Sequence, residues 1–375
     1  MVAAHNAFPY SCPMWHKKFL LLAMVSGLLA GCSHQRHDSA KITSPASTSV
    51  STNLPDPQPY SRVAHPDSNT VQLQIAVRRF VPVDHHGPTI WLTATAHVGE
   101  PQYYHALQRH LDSRTVVLYE GVNAESHVRH VPRPGDPPAP AQPAPKPAQD
   151  RPSSSSKEGF SMQSELAKSL GLVFQLEAID YDRTNFLNSD LSVFQLQKLM
   201  LGDPDAQPAG PGEKGRTDPT LQTLMQIMNG TSLLGSLMKA GVHLISSSPQ
   251  LQSATKLILI ETLGSLKGDM AEMRGLPAEL RNLMKVLIVA RNQAVIDDLK
   301  TELKLVPRSG SISIFYGSGH MENMEQHLTR ELHYRPAGDV WLPVFSVDLK
   351  EAGMSESDLQ MIRNLIKWQL DKMQK

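Results

Sequence analysis

A strand, a helix and a second strand in direct succession leave a chain few ways to fold, and residues 90 to 121, IWLTATAHVGEPQYYHALQRHLDSRTVVLYEG, read in that order. Ile90 to Ala94 is an apolar run of strand length. Pro101 suits a first helical turn, and Tyr104, Leu107 and Leu111 recur on one face. The segment TVVLYE, residues 115 to 120, is again apolar and β-branched. If both strands lie parallel in one sheet, a right-handed crossover brings their carboxyl ends to the same edge. His97 and Glu120 then share a crevice.

The flanking segments extend the same pattern. VQLQIAVRRFVP, from Val71, alternates like a half-buried strand, and VDHHGPT has turn chemistry, so a hairpin into Ile90 is the economical reading. His85 and His86, adjacent on that exposed turn, read as solvated. SISIFYGSGHMENMEQHLTREL, from Ser311, repeats strand, Gly-containing turn, His320 and helix, and DVWLPVFSVDL follows as a strand. The expected fold is therefore α/β: two halves around a central mixed or parallel sheet flanked by helices, building one site between them. Gly317 and Gly319 are expected to let the backbone turn and to keep space beside His320, as Ala94 and Ala96 do beside His97.

Between these halves the chain is less regular. Residues 131–157 and 202–219 are Pro-rich insertions that read as exposed loops. A helix, a short strand at Leu172 to Leu176, a polar loop and a helix starting near Asp190 lie between them. Residues 220–305 are largely helical by their Leu and Met spacing, for which core packing is the preferred reading over a Met-lined groove. The last helix there is expected to open at Pro277 and to leave Asp297 and Asp298 on a solvated face. A C-terminal helix fills 350–375.

The N-terminus carries an address. His16, Lys17 and Lys18 precede an apolar run from Phe19 to Ala30, too short for the roughly 20 residues a spanning helix needs, so 1–31 reads as a signal peptide. Translation starts at Met1 or Met14. Leu29-Ala30-Gly31-Cys32 resembles a bacterial lipobox, which implies lipidation of Cys32, removal of what precedes it, and anchoring in the cell envelope. Ser33 after the cysteine favours, by the same resemblance, the outer membrane of a Gram-negative cell. Residues 32–69, rich in Ser, Thr, Pro and Asp, read as a tether. Cys12 and Cys32 are the sole cysteines, so after processing no thiol is left for a disulfide, a zinc-thiolate site or a nucleophile. Lys plus Arg and Asp plus Glu both number 36, and this balance disfavours nucleic acid as a partner.

Three short motifs, Ala94-Thr95-Ala96-His97 with Val98-Gly99-Glu100, Leu118-Tyr119-Glu120-Gly121 and Gly317-Ser318-Gly319-His320, together resemble the TraB/TIKI/GumN family, related to the erythromycin-esterase and ChaN-like superfamily. Gln175, AIDYDRTNFLNSDLS and Arg291-Asn292 also look like family positions, so the resemblance spans residues 86 to 347. Ala94 departs from it, standing where the family usually has Gly.

The resemblance implies a two-half α/β fold of residues 70–349 with a site at the sheet edge and, for one branch, a metal-dependent peptidase. Two imidazoles and a carboxylate suit a divalent ion, with manganese, cobalt and zinc not distinguishable, and leave a position for water. On this reading His97, Glu120 and His320 hold the metal, and Glu100 or Glu120 acts as general base. Arg291 binds a substrate carboxylate or an oxyanion, while Asn292, Tyr181, Asp190 and Gly317 complete the substrate side, with an N-cap as the equal reading of Asp190. The leading expectation is an envelope lipoprotein hydrolase acting on a peptide or protein. The alternatives are a non-catalytic lipoprotein binding a peptide signal or haem, and an envelope scaffold working through its Pro-rich segments.

Overall fold

The computed structural model describes residues 58–121, 164–191, 195, 242–265 and 286–374. The signal peptide, Cys32, both Pro-rich insertions and Pro277 lie outside the described residues. In chain order the elements are β1 (Ser61–Ala64), β2 (Thr70–Pro82), β3 (Thr89–Thr95), β4 (Val98–Gly99), α1 (Pro101–Asp112), β5 (Val116–Tyr119), β6 (Val173–Phe174), α2 (Gln175–Ala178), β7 (Phe186–Asn188), α3 (Pro249–Ser265), α4 (Arg291–Leu305), β8 (Ser311–Gly317), α5 (Met321–Arg330), β9 (Tyr334–Asp348) and α6 (Glu356–Gln374).

Seven strands form one mixed sheet flanked by helices. β2 pairs antiparallel with β9 along nearly its whole length, and β1 and β3 lie end to end along its other edge. Beyond β3 the strands β8, β5 and β7 follow, all parallel to it. The crossover from β3 through α1 to β5 thus leaves a one-strand gap, which the C-terminal half fills with β8. A strand in that position is covered on both faces, and Ile312 to Tyr316 are all buried, as the unbroken apolar run requires. α1 buries Tyr103, Tyr104, Leu107 and Leu111, the expected stripe with one further tyrosine.

The folded chain begins earlier than the tether assigned to 32–69 allows. Tyr60 is buried and β1 pairs with β2. The apolar content of this stretch is too low to announce a strand; a buried charge network compensates. Arg78 of β2, 2% exposed, donates from Nε and Nη2 to Asp339 and from Nη1 to Glu325 at 2.7 Å and to the Gln58 carbonyl, and the Tyr60 hydroxyl donates to Glu325 at 2.6 Å. The strand expected at Leu172 to Leu176 is only Val173–Phe174, because Gln175 already opens the short helix α2. Of the helical middle region, α3, α4 and the π-helical turn Val286–Ala290 leading into α4 fall among the described residues. No helix among these residues is long and apolar enough to cross a membrane.

Candidate functional site

The carboxyl ends of the parallel strands fall in register. Thr95 of β3 lies opposite Gly317 of β8, and Tyr119 of β5 lies opposite Phe315 and Asn188. The residues just past these ends are therefore brought to one edge: His97, Glu120, the turn Ser318–His320 and Asp190. α4 adds its first two residues, Arg291 and Asn292, whose side chains reach Glu120 and His320. β3 and β5 thus carry His97 and Glu120 to the same sheet edge, as the crossover implied, and β8 sets His320 between them in strand order.

Glu120 is the electrostatic centre. Its Oε1 accepts from Arg291 Nη2 at 2.8 Å and its Oε2 accepts the Gly317 backbone N–H at 2.7 Å. Burial raises its pKa, but the combined pull of His320, Arg291, the Gly317 N–H and His97 outweighs it and brings the carboxyl down to about 2. Arg291 is in turn held by Asp190, with Nε on Oδ1 at 2.9 Å and Nη2 on Oδ2. The Asp190 side chain is fully buried and also accepts the N–H groups of Gly121 and Leu191.

This changes the roles assigned to two residues. Arg291 was expected to meet a substrate carboxylate or an oxyanion; its guanidinium is committed to two internal carboxylates and positions Glu120 instead. Asp190, expected on the substrate side or as an N-cap, is the buried counter-ion of that arginine. Both are buried because α4 packs its amino end beneath the strand ends.

The two histidines are fixed through amide side chains. The Asn292 Nδ2 group donates to the His320 carbonyl at 3.1 Å and to Asn323 Oδ1 at 2.9 Å, so Oδ1 is the atom facing His320 Nδ1 at 2.7 Å. An amide oxygen accepts, so Nδ1 carries the proton and Nε2 of the neutral ring keeps a lone pair. Burial lowers the His320 pKa, more than Glu120 raises it, which keeps the ring neutral near pH 7. That lone pair stands 3.7 Å from Glu120 Oε1, beyond hydrogen-bond length, so two electron-rich atoms face each other and invite a donor or a cation. Asn292, expected on the substrate side, is wholly buried and orients His320. His97, which is exposed, turns Nδ1 to Gln175 Oε1 at 3.2 Å.

Glu100 is absent from this cluster. Its Oε1 accepts from the backbone N–H and hydroxyl of Ser346 on β9, at 2.9 and 3.2 Å, and so secures the start of α1 to the far strand. A role as general base does not match that placement. Asp298, expected on a solvated face, is 3% exposed and accepts the Ser189 hydroxyl at 2.6 Å. Ala94 is wholly buried opposite Tyr316, so its size answers to packing within the sheet.

In donor chemistry, two imidazoles and a carboxylate fit zinc, manganese or cobalt, with Asn292 and Gln175 as hydrogen-bond partners of the imidazoles. In geometry, no group of three or more His, Cys, Asp and Glu among the described residues stands close enough to share an ion. Both Glu120 oxygens are engaged, so a cation would compete with Arg291 for Oε1.

Gly317 serves by its size. Its φ of −53° is open to any residue, so the left-handed freedom of glycine is not what the site uses. A Cβ here would lie 3.3 Å from Glu120 Oε2 and 3.8 Å from His320 Cδ2. Gly317→Ala is expected to push the carboxylate off its N–H and cost roughly tenfold in kcat/KM on any substrate turned over, with stability changed by under about 1 kcal/mol. An unchanged kcat/KM would mean the carboxylate tolerates displacement.

Asn323 supports the site from outside the quoted motifs, while Ser189 and Thr95 lie within them but were given no role. Asn323 follows His320 by three residues, one helical turn, and that spacing was the available signal. No protein-family model, no curated protein and no solved structure matches the chain.

Proposed function

We propose that the protein is a hydrolase, metallopeptidase-like, cleaving a peptide or protein at the strand-end cluster, and that it is held in the bacterial cell envelope, at the outer membrane, by a lipid on Cys32. The observation that carries the catalytic reading is the pairing of a neutral His320, its Nε2 lone pair fixed by Asn292, with an ionised Glu120. The resemblance to TraB/TIKI/GumN proteins supports the reaction class, and the basic, apolar and Leu29-Ala30-Gly31-Cys32 sequence supports the anchor.

In this reading a water beside His320 Nε2 gives up its proton as it attacks the scissile carbonyl. The Glu120 carboxylate stabilises the imidazolium that forms, and Arg291 with Asp190 keeps that carboxylate from turning away. His97, exposed at the end of β3 on the same edge, would protonate the leaving group. A divalent ion bound by His97, His320 and Glu120 would supply Lewis-acid polarisation of the carbonyl and a more acidic water.

Full-length protein in detergent, titrated calorimetrically with Mn²⁺, Co²⁺ or Zn²⁺ and screened on a quenched-fluorescent peptide library, tests this. Turnover is expected, with His97→Ala and His320→Ala each lowering it by about 10²–10⁴-fold and weakening ion binding. Activity should rise with pH through a midpoint below the ordinary imidazole value of about 6.5, because His320 must be neutral to accept a proton and its pKa is depressed. Wild-type hydrolysis in both variants would sink the reading.

The engagement of both Glu120 oxygens favours one other use, a non-catalytic site for a peptide signal or haem. Saturable binding of either without turnover of any library member would establish it.

A further inference from the structure

Gln175 is a buried side chain at the strand ends that bonds to His97 but takes no part in the catalytic steps above. It is 5% exposed and begins α2, with its backbone N–H on the His97 carbonyl at 2.8 Å. Its Oε1 faces His97 Nδ1 and accepts from the Thr95 hydroxyl at 3.4 Å, while its Nε2 donates to the Tyr181 hydroxyl at 2.9 Å. The Tyr181 ring is locked between aromatic neighbours, stacked on Phe315 and tilted against Tyr119. Burial, reinforced by the Glu120 charge, raises its pKa and keeps the hydroxyl protonated.

We infer that Gln175 is a positioning residue with two outputs: it fixes the proton of His97 on Nδ1, leaving Nε2 as the basic nitrogen, and it fills the acceptor side of the Tyr181 hydroxyl, so that the phenolic proton is directed to a substrate carbonyl oxygen. One buried amide thereby sets a base and a hydrogen-bond donor on the same side of the site. The donor half rests on the hydrolase reading above; the His97 half does not.

The amide has the right polarity for both tasks. An oxygen toward the imidazole demands Nδ1–H, and an N–H toward the phenol leaves the phenol only its own proton to give. A carboxylate at this position would keep the first output and reverse the second, because it accepts from both neighbours. Gln175→Glu therefore separates the two.

The experiment is long-range ¹H–¹⁵N correlation of the imidazole nitrogens in full-length wild type, Gln175→Glu and Gln175→Leu, run beside kinetics on a peptide cleaved in the library screen. Wild type should show His97 in the Nδ1–H form, the less common tautomer of free imidazole. Gln175→Glu should retain Nδ1–H and Gln175→Leu should move the proton to Nε2, with His320 unchanged in both as the internal check on folding. His97 found with Nε2–H in the wild type, or unmoved by Gln175→Leu, overturns the proposal whether or not any peptide is cleaved.

In the kinetics, Tyr181→Phe and Gln175→Glu should each lower kcat by about 10²-fold or more with KM little changed, the size expected for one lost donor to a developing oxyanion. Equal loss through KM, or full kcat in Tyr181→Phe, removes the donor role. If no peptide is cleaved by the wild type, the hydrolase reading and the donor role fall together, and the tautomer result decides the His97 role alone.

Discussion

Arg291→Met is expected to lower stability by about 3–5 kcal/mol in urea denaturation at pH 7. The guanidinium joins two carboxylates, Asp190 with a fully buried side chain and Glu120 at 16% side-chain exposure. Methionine matches its bulk and not its charge, so two acidic groups would be left facing one another with little water to screen them. The cheapest response is to take up a proton, and the variant should therefore lose its disadvantage as the pH falls. A companion Asp190→Asn removes the more buried charge and should restore much of the loss, with a coupling energy of about 1.5 kcal/mol or more between the two sites. A loss under about 1 kcal/mol in Arg291→Met would show that the arginine does not hold the cluster together.

Glu120→Gln should have its largest effect on turnover and a distinct one on acid stability. Glu120 loses a proton at about pH 2 in the folded protein against an ordinary carboxylate value of 4.5, since the positive pull of His320, Arg291, the Gly317 N–H and His97 overrides the opposing effect of burial. Above pH 4.5 both folded and unfolded chains carry the charge, and its stabilisation is fully present. Between 4.5 and 2 the unfolded chain takes up the proton first, so the stabilisation drains away as the pH falls. The difference corresponds to roughly 3 kcal/mol. Urea curves at pH 7, 5, 4 and 3 should thus show a flatter acid limb in Glu120→Gln than in the wild type, and, on the proposed hydrolase reading, turnover of a cleaved peptide at pH 7 should drop by about 10³-fold or more through loss of the counter-charge to a His320 imidazolium. Parallel acid limbs would mean that the carboxylate is not held as described.

The central α/β sheet was legible because its strongest signals are local. The apolar runs at Ile90, Val116 and Ile312 have strand length, and the Tyr104, Leu107 and Leu111 stripe has helical period. A crossover rule then puts the residues past those strands, His97 and Glu120, at one edge of the sheet. β1 was not legible, since SRVA has little apolar content and depends on β2 and the Arg78 network, whose bonded partners lie up to 265 positions apart. The composition of the site was readable and the wiring was not. Arg291, Asn292 and Asp190 are all at the strand ends, yet whether a charged side chain faces substrate or a buried counter-ion depends on which helix end arrives beneath it. Glu100 shows the same limit: three residues past His97, it is turned toward β9 by Ser346.

The interleaving of β8 between β3 and β5 also has a temporal side. A growing chain that has emerged only to Arg308 has both flanking strands but not the one that joins them, and neither Gly317 nor His320. Contacts closing over more than 200 residues form late and slowly. The strand-end cluster therefore assembles only once β8 is available, and a chain cut between Val306 and Ser311 keeps β3 and β5 with the edges that β8 covers left unpaired, together with the edge of β2 that β9 covers.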